Sequence, residues 1–347
     1  MKVLSVVGAR PQFVKAAAVS RVLRRSHDEL LVHTGQHYDD NMSAQFFREL
    51  DIPEPEINLD VRSGPHGEQT ARMLERLERV VVEHRPDAVL VYGDTNSTLA
   101  GALVAVKCHV AVAHVEAGLR SFDRSMPEEI NRIVADRVAT WCFCPSRTAV
   151  ANLAHEGITN GVHLVGDVMA DALADAVRRA PDGVASRYGV APGKYLLATI
   201  HRASNTDDRS RLQMLVDALE RTAEAVVFPV HPRTREALRT SAVKLPGNVI
   251  ATDPVGYLEM VALERCARLI LTDSGGVQKE AYWLGVPCVT LRAETEWVET
   301  VDAGWNVVVG HEPRAIVDAV RTFRPPAERP TLYGDGTAAA CIVECLR

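Results

Sequence analysis

The sequence predicts an α/β chain of two doubly wound domains in series, and three observations predict it. Short β-branched runs alternate with longer amphipathic segments along the 347 residues, the pattern of right-handed βαβ crossovers over a parallel sheet. That length suits about two domains. The glycine-bearing and charged motifs fall where a strand ends or the next helix opens, and open α/β sheets bind ligands there.

In the first series, strands are expected at Lys2–Val7, Glu29–Thr34, Ala88–Tyr92, Val110–Val115, Trp141–Cys144 and Gly161–Leu164. Helical patterns such as Phe13–Arg25 and Gln69–Arg85 lie between them. The second series has strands at Tyr195–Thr199, Ala225–Pro229, Val249–Ala251, Leu269–Thr272, Cys288–Leu291 and Asn306–Val309. Its helical runs include Asp208–Ala223, Gly256–Cys266 and Gly276–Leu284. Gly166-Asp167 closes the first set, so the domains are read as 1–168 and 169–336, with the turn cluster Ala180-Pro181-Asp182-Gly183 suited to a linker. Residues Thr337–Arg347 read as a short helix expected to pack back on the first domain. Two such domains turn their strand carboxyl ends to a shared central cleft.

Hydrophobic residues make up 47% of the chain, ample for two cores. A net charge of -6 argues against a general nucleic-acid or anionic-membrane binder, although a local basic pocket remains compatible with it. The opening apolar run is too short for a signal-peptide core, and no stretch is long enough to span a membrane. The seven cysteines sit among apolar neighbours, and the Cys142-x-Cys144 pair has no second pair nearby. They read as buried reduced thiols rather than disulfides or metal ligands, which implies a cytoplasmic protein.

Gly8-Ala9-Arg10-Pro11-Gln12-Phe13-Val14-Lys15 follows the first strand. Gly8 permits a tight turn, the next helix start offers N–H groups, and Arg10 and Lys15 add charge, a combination suited to a phosphate. The motif is neither a dinucleotide fingerprint nor a Walker loop. Gly93-Asp94-Thr95-Asn96-Ser97 places Asp94 at a strand end, either as a helix cap or, if a neighbour caps, as a free carboxylate. Glu116, in His114-Val115-Glu116-Ala117-Gly118-Leu119-Arg120, leaves an apolar strand. Pro127 can open a helix whose first turn holds Glu128 and Glu129, where acids also serve as plain dipole complements. Carboxylates gathered near a cleft are the usual means of acid and base chemistry.

In the second series, His201-Arg202 follows the first strand and His231-Pro232-Arg233 the next. The sharpest local signal is Asp273-Ser274-Gly275-Gly276-Val277-Gln278-Lys279-Glu280. There Ser274, Gly275 and Gly276 let backbone N–H groups approach a phosphate, and Glu280 can accept from ribose hydroxyls.

Taken together and in order, these motifs resemble the non-hydrolysing UDP-N-acetylglucosamine 2-epimerases. The resemblance runs from Lys2 to about Gly310. It implies a glycosyltransferase-B-like fold of two Rossmann-like domains, a UDP-sugar substrate, a homodimer, and neither NAD nor metal. It also implies a mechanism: the C2 proton is removed as UDP leaves C1, giving a 2-acetamidoglucal, and UDP then adds back with the proton delivered to the other face. By position, Asp94, Glu116, Glu128 and His201 match the acid/base and electrostatic set. Arg10 and Lys15 match groups near the diphosphate and sugar, Ser274, Gly275 and Gly276 the phosphate turn, Glu280 the ribose contact, and Met260 a nucleobase contact that is often Phe. Trp297 departs from the family pattern, standing where many members have Arg. Related 2-epimerases act on other UDP-2-acetamido sugars, and glycosyltransferases share the fold, so both remain alternative readings.

Overall fold

The computed structural model describes residues 1–36 and 54–347, with Arg10 described by its backbone alone. The chain divides into two compact units, Met1–Asp175 with Thr331–Arg347, and Ala176–Pro330.

In the first unit the strands are β1 (Lys2–Val7), β2 (Asp28–His33), β3 (Ile57–Asn58), β4 (Ala88–Tyr92), β5 (Ala111–Val115), β6 (Trp141–Cys144) and β7 (Val162–Leu164). They form one parallel sheet in the order β3-β2-β1-β4-β5-β6-β7. Helices α1 (Arg10–Leu23), α2 (His66–His84), α3 (Asn96–Lys107), α4 (Pro127–Val138), α5 (Arg147–His155) and α6 (Val168–Arg179) connect or follow them. Every residue of β4 is buried, as expected for a strand covered on both faces. On α2 the buried residues Gln69, Met73, Leu77, Val80 and Val81 recur at helical spacing and seal one face of the sheet.

The second unit repeats the plan. Strands β8 (Leu196–Thr199), β9 (Val226–Pro229), β10 (Val249–Thr252), β11 (Leu269–Thr272), β12 (Cys288–Thr290) and β13 (Asn306–Val308) lie in the parallel order β10-β9-β8-β11-β12-β13. Its longer helices are α7 (Arg209–Arg221), α8 (Pro232–Thr240), α9 (Tyr257–Cys266), α10 (Gly275–Leu284) and α11 (Pro313–Thr322). Both sheets thus reverse direction once, between β1 and β4 and between β8 and β11. The crevice beyond such a reversal is where ligands bind.

The division between units falls inside α6, beyond the Gly166-Asp167 turn and before residues 180–183. The last helix, α12 (Ala338–Cys345), belongs to the first unit and packs on α1. Asp171 of α6 fixes its start, accepting from the N–H groups of Ala338 (3.2 Å) and Ala339 (3.0 Å).

One helix boundary is corrected, and Gly8 acquires a reason beyond its turn. Helix α1 starts at Arg10 rather than Phe13, because Pro11 already has the backbone angle of a first turn while the apolar pattern begins later. Gly8 is not in a left-handed turn; a Cβ there would run into the hydroxyls of Thr34 and Ser97, so close packing demands the glycine. All seven cysteines are free thiols. Burial pushes Cys142 and Cys288 up to about 12, which makes them unreactive. Among the described residues no helix is long and apolar enough to cross a membrane.

Candidate active site

In the first unit the candidates gather where β1, β4 and β5 end. Gly93 adopts φ +62, and a Cβ there would stand 3.3 Å from Lys15 Nζ and 3.9 Å from Glu116 Oε2. Lys15, reaching from α1, forms an ion pair with Glu116 at the exit of β5. Both side chains are nearly buried, so the pairing is little screened by solvent. Glu116 itself takes φ +73, rare for a residue with a Cβ. Its turn is pinned by the N–H groups of Glu116 and Ala117, which both donate to the Phe143 carbonyl at 3.1 Å.

Asp94 stands one strand away. Thr95 caps α3 by accepting from Thr98 N–H, so the Asp94 carboxylate is free of that duty. It pairs instead with Arg132 of α4 at 2.5 Å, and Asn131 donates to its backbone carbonyl at 2.9 Å. Glu128, in the first turn of α4, is exposed. The buried acid of that turn is Glu129. It accepts from the N–H groups of Ser121 and Phe122, both at 2.9 Å, and from Arg132 at 2.9 Å. Burial opposes its charge, but these donors outweigh burial and hold its carboxyl below the usual range. Glu129 thus latches the 119–126 loop to α4.

Of the N–H groups expected to greet a phosphate at the start of α1, those of Gly8, Ala9 and Gln12 are already taken. Gln12 Oε1 accepts from Gly8 N–H (2.8 Å) and Ala9 N–H (3.0 Å), while its amide donates to the Tyr92 carbonyl at 2.7 Å. The first glycine motif therefore builds a packed corner, from which Lys15 reaches Glu116. The side chain of Arg10 lies outside the description.

Behind Glu116 is a buried polar chain that the motifs alone do not reveal. The His114 ring hydrogen-bonds the Gly93 carbonyl through Nε2 and Asp136 through Nδ1, each at 2.7 Å. Asp136 also accepts from Gly118 N–H (3.1 Å) and Arg120 (2.7 Å), and Arg120 continues to Glu156 at 2.6 Å. Burial raises the Asp136 carboxyl, yet His114 and Arg120 more than offset this and keep it low.

In the second unit the organiser is Asp273, fully buried at the end of β11. It accepts from His201 N–H at 3.0 Å, Arg202 N–H at 3.0 Å and the Asn205 amide at 3.0 Å. The His201 ring lies with Nδ1 3.3 Å from Asp273 Oδ1, and the His231 ring stands 5.4 Å from it between centroids. So β8 and β11, the two strands at the reversal, are joined through one carboxylate. Asp273 is absent from the site residues that the motifs suggest; an acid directly after a buried strand is the signal in the sequence that marks it.

Ser274 caps α10, its hydroxyl accepting from Val277 N–H. A Cβ on Gly275 would fall 2.5 Å from Glu296 Oε1 and 3.2 Å from Trp297 Nε1, so those side chains would have to shift to admit it. At Gly276 the nearest atom to such a Cβ is Ser274 Oγ at 3.9 Å, so the backbone there lies open to a ligand. Lys279 lies 3.9 Å over the Trp297 ring, which puts a cation at the corner that carries Trp in place of Arg. Glu280 is buried on the same helix and accepts from the Tyr257 hydroxyl at 3.0 Å. Met260 packs, partly buried, against the cluster that includes Val277 and Ala281.

A helix start with two glycines beside the buried Lys279 suits a diphosphate. A buried lysine–carboxylate pair beside a second paired carboxylate suits proton transfer. The family model described as UDP-N-acetylglucosamine 2-epimerase matches residues 21–347. A UDP-N-acetylglucosamine 2-epimerase homolog of Methanococcus maripaludis is 50% identical over 100% of this chain and 99% of its own. A UDP-2,3-diacetamido-2,3-dideoxy-D-glucuronate 2-epimerase of Pseudomonas aeruginosa is also 50% identical, over 100% and 99% of the two chains. The crystal structure of the Methanocaldococcus jannaschii UDP-GlcNAc 2-epimerase, solved with UDP-GlcNAc and UDP, superposes with a TM-score of 0.88 at 41% identity, over 100% and 99%. Its two parallel sheets are those of the glycosyltransferase-B-like epimerases. With fold, motifs and full-length similarity in agreement, the chain belongs to the UDP-N-acetylglucosamine 2-epimerase family and is an enzyme of the epimerase class.

Proposed function

We propose that this enzyme inverts C2 of a UDP-2-acetamido sugar without hydrolysis, with the UDP-GlcNAc to UDP-ManNAc interconversion as its first reading. The observation that carries the proposal is the nearly buried Lys15–Glu116 pair at the exit of β5, held beside Gly93 by a strained backbone. A base in the set Asp94, Glu116, Glu128 and His201 takes the C2 proton, the C1–O bond to UDP breaks, and the sugar becomes a 2-acetamidoglucal. UDP then adds back to C1 as a proton is returned to the opposite face of C2. Expelling UDP places negative charge on the diphosphate, and Arg10 and Lys15 with the helix start at Ser274, Gly275 and Gly276 serve to stabilise it. Glu280 takes the ribose and Met260 faces the base. A homodimer, implied by the family resemblance, is part of this reading.

A second sugar has a specific observation in its favour. The relative named for the 2,3-diacetamido glucuronate is 50% identical, against 42% for a UDP-N-acetylglucosamine 2-epimerase of Methanocaldococcus jannaschii. The test is kcat/KM for UDP-GlcNAc and for UDP-2,3-diacetamido-2,3-dideoxy-glucuronate, read by proton NMR. Preference for the first supports the first reading, and preference for the uronate replaces it. Stoichiometric release of free UDP with either sugar would sink both.

A further inference from the structure

The scheme above gives no role to Arg202, which the second-series motif places beside His201. Arg202 follows β8 and Arg292 follows β12, and the sheet order β8-β11-β12 sets these two strands on either side of β11. The exit of β11 carries the Ser274–Gly276 turn, so an arginine leaves the sheet on each side of the α10 start. Both backbones are pinned: Arg202 N–H donates to the buried Asp273 at 3.0 Å, and the Arg292 carbonyl accepts from Gly310 N–H at 2.9 Å. One carboxylate collects the two side chains. Glu296 Oε2 accepts from Arg292 Nη1 at 2.8 Å, and Glu296 Oε1 stands 3.7 Å from Arg202 Nη2. The same Oε1 is the atom that a Cβ on Gly275 would approach to 2.5 Å. Helical Cα–Cβ bonds tilt toward the N-terminus, so this oxygen, and the arginine nitrogens on it, stand beside the first turn of α10. The stretch that bears Glu296 is stitched to the same helix, because the Thr295 hydroxyl donates to the buried Gln278 at 2.6 Å and accepts from Trp297 N–H at 3.1 Å.

We propose that Arg202 and Arg292 bind the diphosphate from the two sides of the α10 start, and that Glu296 is a positioning residue that gathers them there. The inference rests on the reading of that turn as the diphosphate site. A single carboxylate offsets only one of the two guanidinium charges, and the surplus stands at the positive end of the α10 dipole. Each guanidinium has five N–H groups in a planar fork that matches phosphate oxygens, and Glu296 engages one terminal nitrogen of each. When the C1–O bond to UDP breaks, the charge that develops on the diphosphate falls between the two forks.

Titration with UDP and with uridine, which has no phosphate, reads the clamp. Arg202→Gln and Arg292→Gln should each bind UDP about tenfold or more weakly, while uridine binds as it does to the native enzyme. UDP affinity equal to the native value in either variant overturns the clamp, and so does an equal loss for uridine, which assigns the effect to the fold. A double-mutant cycle reads the positioning. Glu296→Gln should weaken UDP binding in the native background and change it little once Arg202 or Arg292 is Gln, since residues that act together are not additive. Tighter UDP binding in Glu296→Gln would mean that the carboxylate only repels the diphosphate, and the positioning role fails. If Arg292→Gln does not fold, Arg202→Gln, at a half-exposed side chain, and its cycle with Glu296→Gln still decide the matter. Gly276→Ala is the separate control, because its Cβ has room in the fold but not against a closely approaching phosphate. Native UDP affinity in Gly276→Ala means that the diphosphate does not approach this turn, and the turn reading fails together with the clamp. Weakened UDP binding there, with native affinity in the arginine variants, overturns the clamp alone.

Discussion

Holding Glu116 at φ +73 costs on the order of 1–3 kcal/mol, and such strain persists only where the surroundings enforce it. Here they do: Phe143 takes two N–H groups of the turn, and His114 ties β5 to the Gly93 carbonyl. Glu116→Gln should lower kcat by about 100- to 10,000-fold while UDP binding, measured by calorimetry, survives. Glu129 makes a separate prediction about stability. Its carboxyl is depressed in the folded state, so its contribution is present above the unfolded value and is lost as pH falls through the folded one. Melting temperatures of native enzyme and Glu129→Gln should therefore differ most at neutral pH and converge in acid, below about pH 4. Asp273→Ala takes the acceptor from the half-buried N–H groups of His201 and Arg202 and leaves the Asn205 amide only the Leu291 carbonyl, and should cost about 1–3 kcal/mol in urea unfolding, with turnover falling as His201 loses its anchor.

At the scale of elements, helix starts divide the labour. The start of α1 is closed by the Gln12 side chain, whereas that of α10 is open at Gly276. Gly275→Ala should weaken UDP binding at least tenfold, because its Cβ displaces Glu296 and Trp297 from the turn, whereas Gly8→Ala should act through stability, costing about 1–3 kcal/mol by overpacking. Strand ends were legible because each motif follows an apolar run that a parallel sheet buries. The starts of helices were less so: Pro11 and Gln12 act before the apolar period begins, and nothing in the spacing shows that a glutamine side chain will bend back onto its own turn. The two residues of β3 are too few to display a period at all. Glu129 shows a further limit. Two adjacent acids at a helix start look alike in the sequence, and only packing shows that one is buried as a latch and its neighbour exposed.

For the whole molecule, alternating strands and helices sufficed to predict two parallel sheets, because crossover handedness leaves few arrangements for such a pattern. Polar chains drawn from distant segments, such as Glu156–Arg120–Asp136–His114 and Asp273 with His201 and Asn205, were not predicted from local pattern, since their members meet only after folding. Their joint effect is to fix the strand ends on which the proposed acid/base set stands. The central claim, proton removal at C2 coupled to loss of UDP, is tested most directly by incubating UDP-GlcNAc with the enzyme in deuterated water and following C2 by proton NMR. The account predicts that both epimers form and that deuterium enters C2 in each. Interconversion with the C2 proton fully retained, or no interconversion at all, would contradict it.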